Sequence, residues 1–206
     1  MPSNFSDDLI RKMTSEQRAA TVALLDTLTD DQWRRMTLCS GWTTEHLAAH
    51  LSMSFRIGMP RLAVAMLRSR GNFDKAADSL ARRDVNRMTR TELVDSLREN
   101  VTTDWSPPGG DLVDSLCHDV IHGLDLTEGL GVPSTATREA LQVVLQTIRD
   151  RDRIAYFGGD LAGRTLVASD VDFRVGDGPE LSAPAATVVL VLTGRITVDG
   201  NLRRTP

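Results

Sequence analysis

Cys117-His118-Asp119-Val120-Ile121-His122-Gly123-Leu124-Asp125 is the stretch from which both the fold and the chemistry are read. Leu112, Leu116, Val120 and Leu124 recur at helical spacing through it, behind Asp111 as a cap. His118 and His122, four residues apart, then share one face of that helix and can reach a single ion. The chain has 4 histidines, and the other two, His46 and His50, repeat the spacing in Thr43-Thr44-Glu45-His46-Leu47-Ala48-Ala49-His50-Leu51. One such pair is also what a solvated helix surface or a satisfied core group looks like. Two pairs that use up every histidine favour a shared ion.

Working outward, the chain reads as a succession of helices. Ser6 to Leu28 carries a broad apolar stripe that includes Ile10, Met13, Val22, Leu25 and Leu28. Thr29-Asp30-Asp31-Gln32 is a capping box opening a short helix, and Leu38-Cys39-Ser40-Gly41-Trp42 breaks the pattern with a tight turn and a large anchor. Thr43 or Thr44 caps a helix running through His50 towards Leu67, which Pro60 kinks or divides. Helices follow over 73–85 and, behind the Thr89-Arg90-Thr91-Glu92 box, over 92–101. Trp105-Ser106-Pro107-Pro108-Gly109-Gly110 is a break before the histidine helix, and a further helix spans about 135–153. Beyond Gly158-Gly159 the pattern changes to short strands at 166–168, 171–175 and 180–181, and then a last apolar segment, Ala185 to Leu192, read as a helix. The fold class expected is mainly α: a four-helix up-and-down bundle over 1–155, with a small β-hairpin and helix over 156–206 packed on it.

Composition narrows the function. The 206 residues are 41% hydrophobic and 25% charged, enough for one good-sized core, and the net charge of −4 leaves no basic stripe for nucleic acid. No run of 18 apolar residues and no signal-like start are present, so a cytoplasmic protein with no membrane partner is expected. Cys39 and Cys117 are the 2 cysteines. They make no disulfide framework, and core or near-site packing outweighs a role as ligand or nucleophile.

In a bundle, facing helices project ligands onto one ion. The expected metal ligands are His50, His118 and His122. Three imidazoles leave an exchangeable position, whereas His46 as a fourth would close the shell. A Thr43 cap puts His46 in the first helical turn, near the rim, which favours three. Imidazole suits zinc, nickel, copper and iron. Asp119 and Asp125 are placed to orient the rings from behind, or else to lie on a solvated face or at a helix end.

Cys39-Ser40-Gly41-Trp42-Thr43 through Leu47 to His50-Leu51 resembles the C-x-G-W-T-x-x-x-L-x-x-H-L signature of the mycothiol-dependent maleylpyruvate isomerase-like proteins, within the wider DinB/YfiT-like metalloprotein superfamily. His118-x-x-x-His122-Gly123-x-Asp125 resembles the family's second signature. The segment from Ser169 to Arg195 is similar to the C-terminal piece of its actinobacterial members, and is expected to be much shorter than the isomerase's own C-terminal domain. The resemblance implies a DinB-like bundle holding a divalent metal, zinc foremost, through His50, His118 and His122. It implies mycothiol as thiol cofactor, bound to the metal as thiolate, with an electrophilic small molecule as its partner in a transferase or isomerase reaction. His118 stands where the family often has Glu, which removes a negative charge from the site. Arg195 stands in for an arginine of the isomerase. A non-catalytic metal-binding or sensing protein is the alternative reading, and a silent bundle acting by interaction, as a homodimer, the third.

Overall fold

The computed structural model describes residues 5–202. The first helix, α1 (Asp7–Asp26), is capped by Ser6, and α2 (Asp30–Trp33) opens on the full Thr29/Gln32 capping box. Next come α3 (Thr44–Arg56), capped at Thr43, and α4 (Met59–Arg68). The long helix expected between His46 and Leu67 is therefore divided: Pro60 lies in the first turn of α4, where its missing N–H costs nothing. Following these are α5 (Phe73–Val85), α6 (Arg90–Glu99) behind the Thr89/Glu92 box, α7 (Leu112–Leu130) and α8 (Arg138–Asp150).

The bundle is the ring α1–α7–α3–α6, so α1 and α3, consecutive long helices, stand across its diagonal. α5 packs outside α3, and α4 outside α5. α7 is the central helix: 14 of its 19 residues are buried, too many for a one-faced surface helix. Its two ends feed two cores. Leu116, Val120 and Leu124 pack with Ile10, Val144, Ile148 and Leu192, whereas Leu126 and Leu130 pack with Val22, Leu25, Leu47 and Leu93. Each such fully buried aliphatic side chain contributes about 1.5–3 kcal/mol.

Among the described residues, three short strands follow: β1 (Thr165–Ala168), β2 (Arg174–Val175) and β3 (Glu180–Ala183). The sheet order is β2-β1-β3, with β1/β2 antiparallel and β1/β3 parallel. The edge strand β2 is shorter than expected. Residues 171–173 are bends and irregular backbone, and Phe173 instead buries its ring in the core. The last helix, α9 (Ala185–Leu192), follows Pro184 and packs on α8, α7 and β1.

The loop carrying Cys39 and Trp42 is held against α7. Gly41 takes φ +73°, which lets Trp42 turn inward to 8% exposure. The Leu38 amide donates to the carbonyl of Asp125. Gly129 leaves space for the loop: a Cβ there would stand 2.5 Å from the Met36 carbonyl oxygen and 2.7 Å from the Thr37 Cα. Both are backbone atoms, which cannot swing aside. Gly129→Ala is therefore expected to destabilise the protein by about 1–3 kcal/mol, read as a shifted midpoint in urea.

Candidate metal centre in the bundle cleft

Three histidines meet where α3 faces α7. One ring nitrogen from each of His50, His118 and His122 lies within 4.8 Å of the other two. The Nε2 atoms of His118 and His50 are 3.2 Å apart, and the ring centroids lie 4.7–5.3 Å from one another. His50 is 7% exposed.

The two α7 rings are fixed from behind. His118 Nδ1 is 2.8 Å from Asp119 Oδ1, and His122 Nδ1 is 3.0 Å from Asp125 Oδ2. A carboxylate accepts only, so each Nδ1 carries the proton and each Nε2 presents a lone pair. Arginines hold both carboxylates. Arg18 Nε donates to Asp119 at 2.6 Å, and Arg195 donates to both oxygens of Asp125 at 3.0 and 3.1 Å. Burial would push the carboxyl of Asp119 up, but the His118 bond and the Arg18 charge hold it low. Burial likewise opposes Arg195 and His122 at Asp125, and they win by a wide margin.

Burial, with the neighbouring imidazoles of His122 and His118, presses His50 well below its ordinary value, and burial also lowers His122. Neutral rings are the form that binds metal. Three imidazoles, two of them aimed by their carboxylates, fit a borderline divalent ion. His50 Nδ1 is buried with no hydrogen-bond partner among the described residues, so this ring lacks the back-side clamp of the other two.

His46, the open question of the sequence, points elsewhere. Its Nδ1 lies 2.7 Å from the Thr43 hydroxyl and 3.4 Å from the Thr43 amide, closing the cap of α3. It is outside the converging group.

A second set, Cys39, His122 and Asp125, also comes within 4.8 Å. It is a hydrogen-bonded cluster whose carboxylate already faces the Arg195 guanidinium, and Cys39 Sγ donates to Asp125 Oδ2 at 3.1 Å. Burial and then Asp125 push the Cys39 thiol well up, and burial pushes Cys117 up to about 12. Burial thus disfavours the thiolate at both positions.

The centre opens on a cleft of about 1080 Å³. Trp42, Lys75, Arg151, Arg153 and Tyr156 are among its walls, with Arg195 beside the histidines. Arg151 and Arg153 both pair with Asp114. Trp42 packs on the His50 ring at 5.0 Å and donates through its indole N–H to Asp78 at 2.7 Å. Trp105 meets the His118 ring at 5.1 Å.

Sequence reasoning missed Arg18. The signal is a polar line on α1, Thr14, Gln17, Arg18 and Thr21 at spacings of three and four, all buried. Polar residues at core-facing positions of an otherwise ordinary amphipathic helix mark a buried network.

The family model described as mycothiol maleylpyruvate isomerase N-terminal domain matches residues 14–105. A search of curated proteins gives no match. Among solved structures, the mycothiol-dependent maleylpyruvate isomerase matches with a TM-score of 0.61 at 15% identity, over 98% of this chain and 97% of that one. A histidine-to-alanine mutant of a mycothiol-dependent maleylpyruvate isomerase matches with a TM-score of 0.58 at 14% identity, over 98% and 97%. With the match running over 97% of that chain, the expectation of a much shorter C-terminal part gives way. Residues 14–105 are thus similar to the mycothiol maleylpyruvate isomerase N-terminal domain, in a mainly helical chain that shares the fold of that isomerase.

Proposed function

We propose that this protein is a metal-dependent enzyme that uses a low-molecular-weight thiol, mycothiol by kinship, in an isomerase or S-transferase reaction on an electrophilic small molecule. The observation that carries the reading is the convergence of His50, His118 and His122 at the inner wall of a cleft large enough for a thiol and a second substrate. The name of the matched family supports the thiol.

These three residues would hold the ion, zinc foremost. Held there, the ion would supply Lewis-acid activation of a thiol at neutral pH. The chain's own part is orientation and charge. Asp119 and Asp125 keep the lone pairs of His118 and His122 facing inward. Arg151, Arg153 and Lys75 give the cleft wall positive groups for a carboxylate of the cofactor or the substrate. Burial disfavours a thiolate at Cys39 and Cys117, in keeping with a nucleophile supplied from outside the chain.

The test is zinc-loaded protein incubated with mycothiol and a panel of electrophiles that includes maleylpyruvate, followed by thiol consumption and product analysis. Turnover that disappears in His118→Ala supports the reading. Stoichiometric metal with zero turnover across the panel overturns the enzyme and leaves a metal-binding protein.

A further inference from the structure

We infer that Arg18, on α1, is a positioning residue for the His118 imidazole, acting through Asp119 and through the segment that carries Trp105. This rests on the metal reading above and adds to it a residue far from both signature segments.

One guanidinium makes every contact that the arrangement needs. Its Nε donates to Asp119 Oδ2 at 2.6 Å, and Nη2 donates to the Ser115 hydroxyl at 3.0 Å. Nη1 donates to the carbonyl of Thr103 at 2.7 Å and reaches that of Asn100 at 3.4 Å. The group sits 5.0 Å from the centre of the Phe55 ring, and the Arg18 side chain is 5% exposed. The two oxygens of Asp119 are thereby divided: Oδ2 faces Arg18 and Oδ1 faces His118 Nδ1. With Oδ2 held, Oδ1 has one direction open to it, and so does the imidazole proton it accepts.

The same arginine sets the other flank of the ring. Thr103 precedes Trp105 by two residues, and the Trp105 ring lies against His118. Arg18 therefore ties down both the carboxylate behind the imidazole and the backbone that delivers the indole beside it. His122 has a parallel construction in Arg195 and Asp125, whereas His50 has none among the described residues. Ligand orientation from behind is worth roughly 10–100-fold in metal affinity when its partner is removed.

The experiment measures zinc affinity by chelator competition on the full chain, together with the visible spectrum of the cobalt-loaded protein. Variants are Arg18→Met, Asp119→Asn, the double variant, and Leu93→Ala as a stability control; Leu93 is fully buried on α6, which supplies none of the three imidazoles. Arg18→Met is expected to weaken zinc binding by about 10–100-fold and to change the cobalt spectrum. Asp119→Asn should do the same, and the double variant should lose less than the product of the two single losses, because Arg18 acts in part through Asp119. Leu93→Ala should lower stability and leave affinity and spectrum alone.

Unchanged affinity in Arg18→Met overturns the proposal. So do losses that multiply in the double variant, or an equal loss in Leu93→Ala. Should Arg18→Met not fold, Arg18→Lys keeps the buried charge but gives up the planar fork, and carries the same expectation. Wild-type protein that binds no zinc sinks the metal reading itself and takes this proposal with it, an outcome distinct from all the others.

Discussion

His50→Ala is expected to lose its zinc, falling from about one ion per chain to almost none after dialysis, while His46→Ala keeps it; elemental analysis reads both. The two substitutions remove the same ring from the same helix, one turn apart, so a general effect on α3 cannot produce the difference. His50 is buried, with its Nε2 3.2 Å from that of His118. It is the sole donor from outside α7, and without it two imidazoles on one helix face remain. His46 spends its Nδ1 on the Thr43 hydroxyl and amide. Its loss costs a capping contact, worth about 0.5–2 kcal/mol of stability, and no ligand. Equal loss of metal from both variants would instead describe a closed centre of four histidines.

The second large effect is on stability. Arg195→Ala is expected to cost about 3 kcal/mol in urea unfolding at neutral pH, the low end for breaking a buried pair because Arg195 keeps some exposure. Asp125 is 0% exposed, and the guanidinium takes both its oxygens. What the variant leaves behind is a buried carboxylate with, among the described residues, His122 and Cys39 to answer it. The pH dependence follows in sign. The folded-state pKa of Asp125 lies below its unfolded value, so its stabilisation is complete above about pH 4 and fades as pH falls further. The gap between wild type and variant should be full at pH 7 and close in acid. A gap independent of pH would mean that Arg195 contributes packing and not charge.

How much of this was legible depended on whether the signal was local. The caps at Thr29, Thr89 and Asp111 are written in residues three apart, and each appears where its spacing puts it. The histidine pairs were legible for the same reason: i,i+4 on a helix needs no knowledge of the tertiary fold. What brings residue 50 to residue 118 is the ring order of the bundle, which no local pattern encodes. The resemblance to a known family filled that gap. Of the strand expected at 171–175, Arg174–Val175 pairs with β1, whereas the Phe173 side chain serves burial in the core and residues 171–173 form no strand. Arg18 went unread because a lone arginine in a helix is usually solvent-facing. Its meaning lies in Asp119, 101 positions later in the chain.

The Arg195 contact has a consequence for biosynthesis. Arg195 follows Asp125 by 70 residues, so the brace behind His122 cannot exist until the ribosome has added that much more chain. The N-terminal helices can collapse earlier, as segments made first generally do. During that interval the nascent polypeptide carries all its histidines yet lacks half of their support, and maturation of the centre waits on the late-emerging tail.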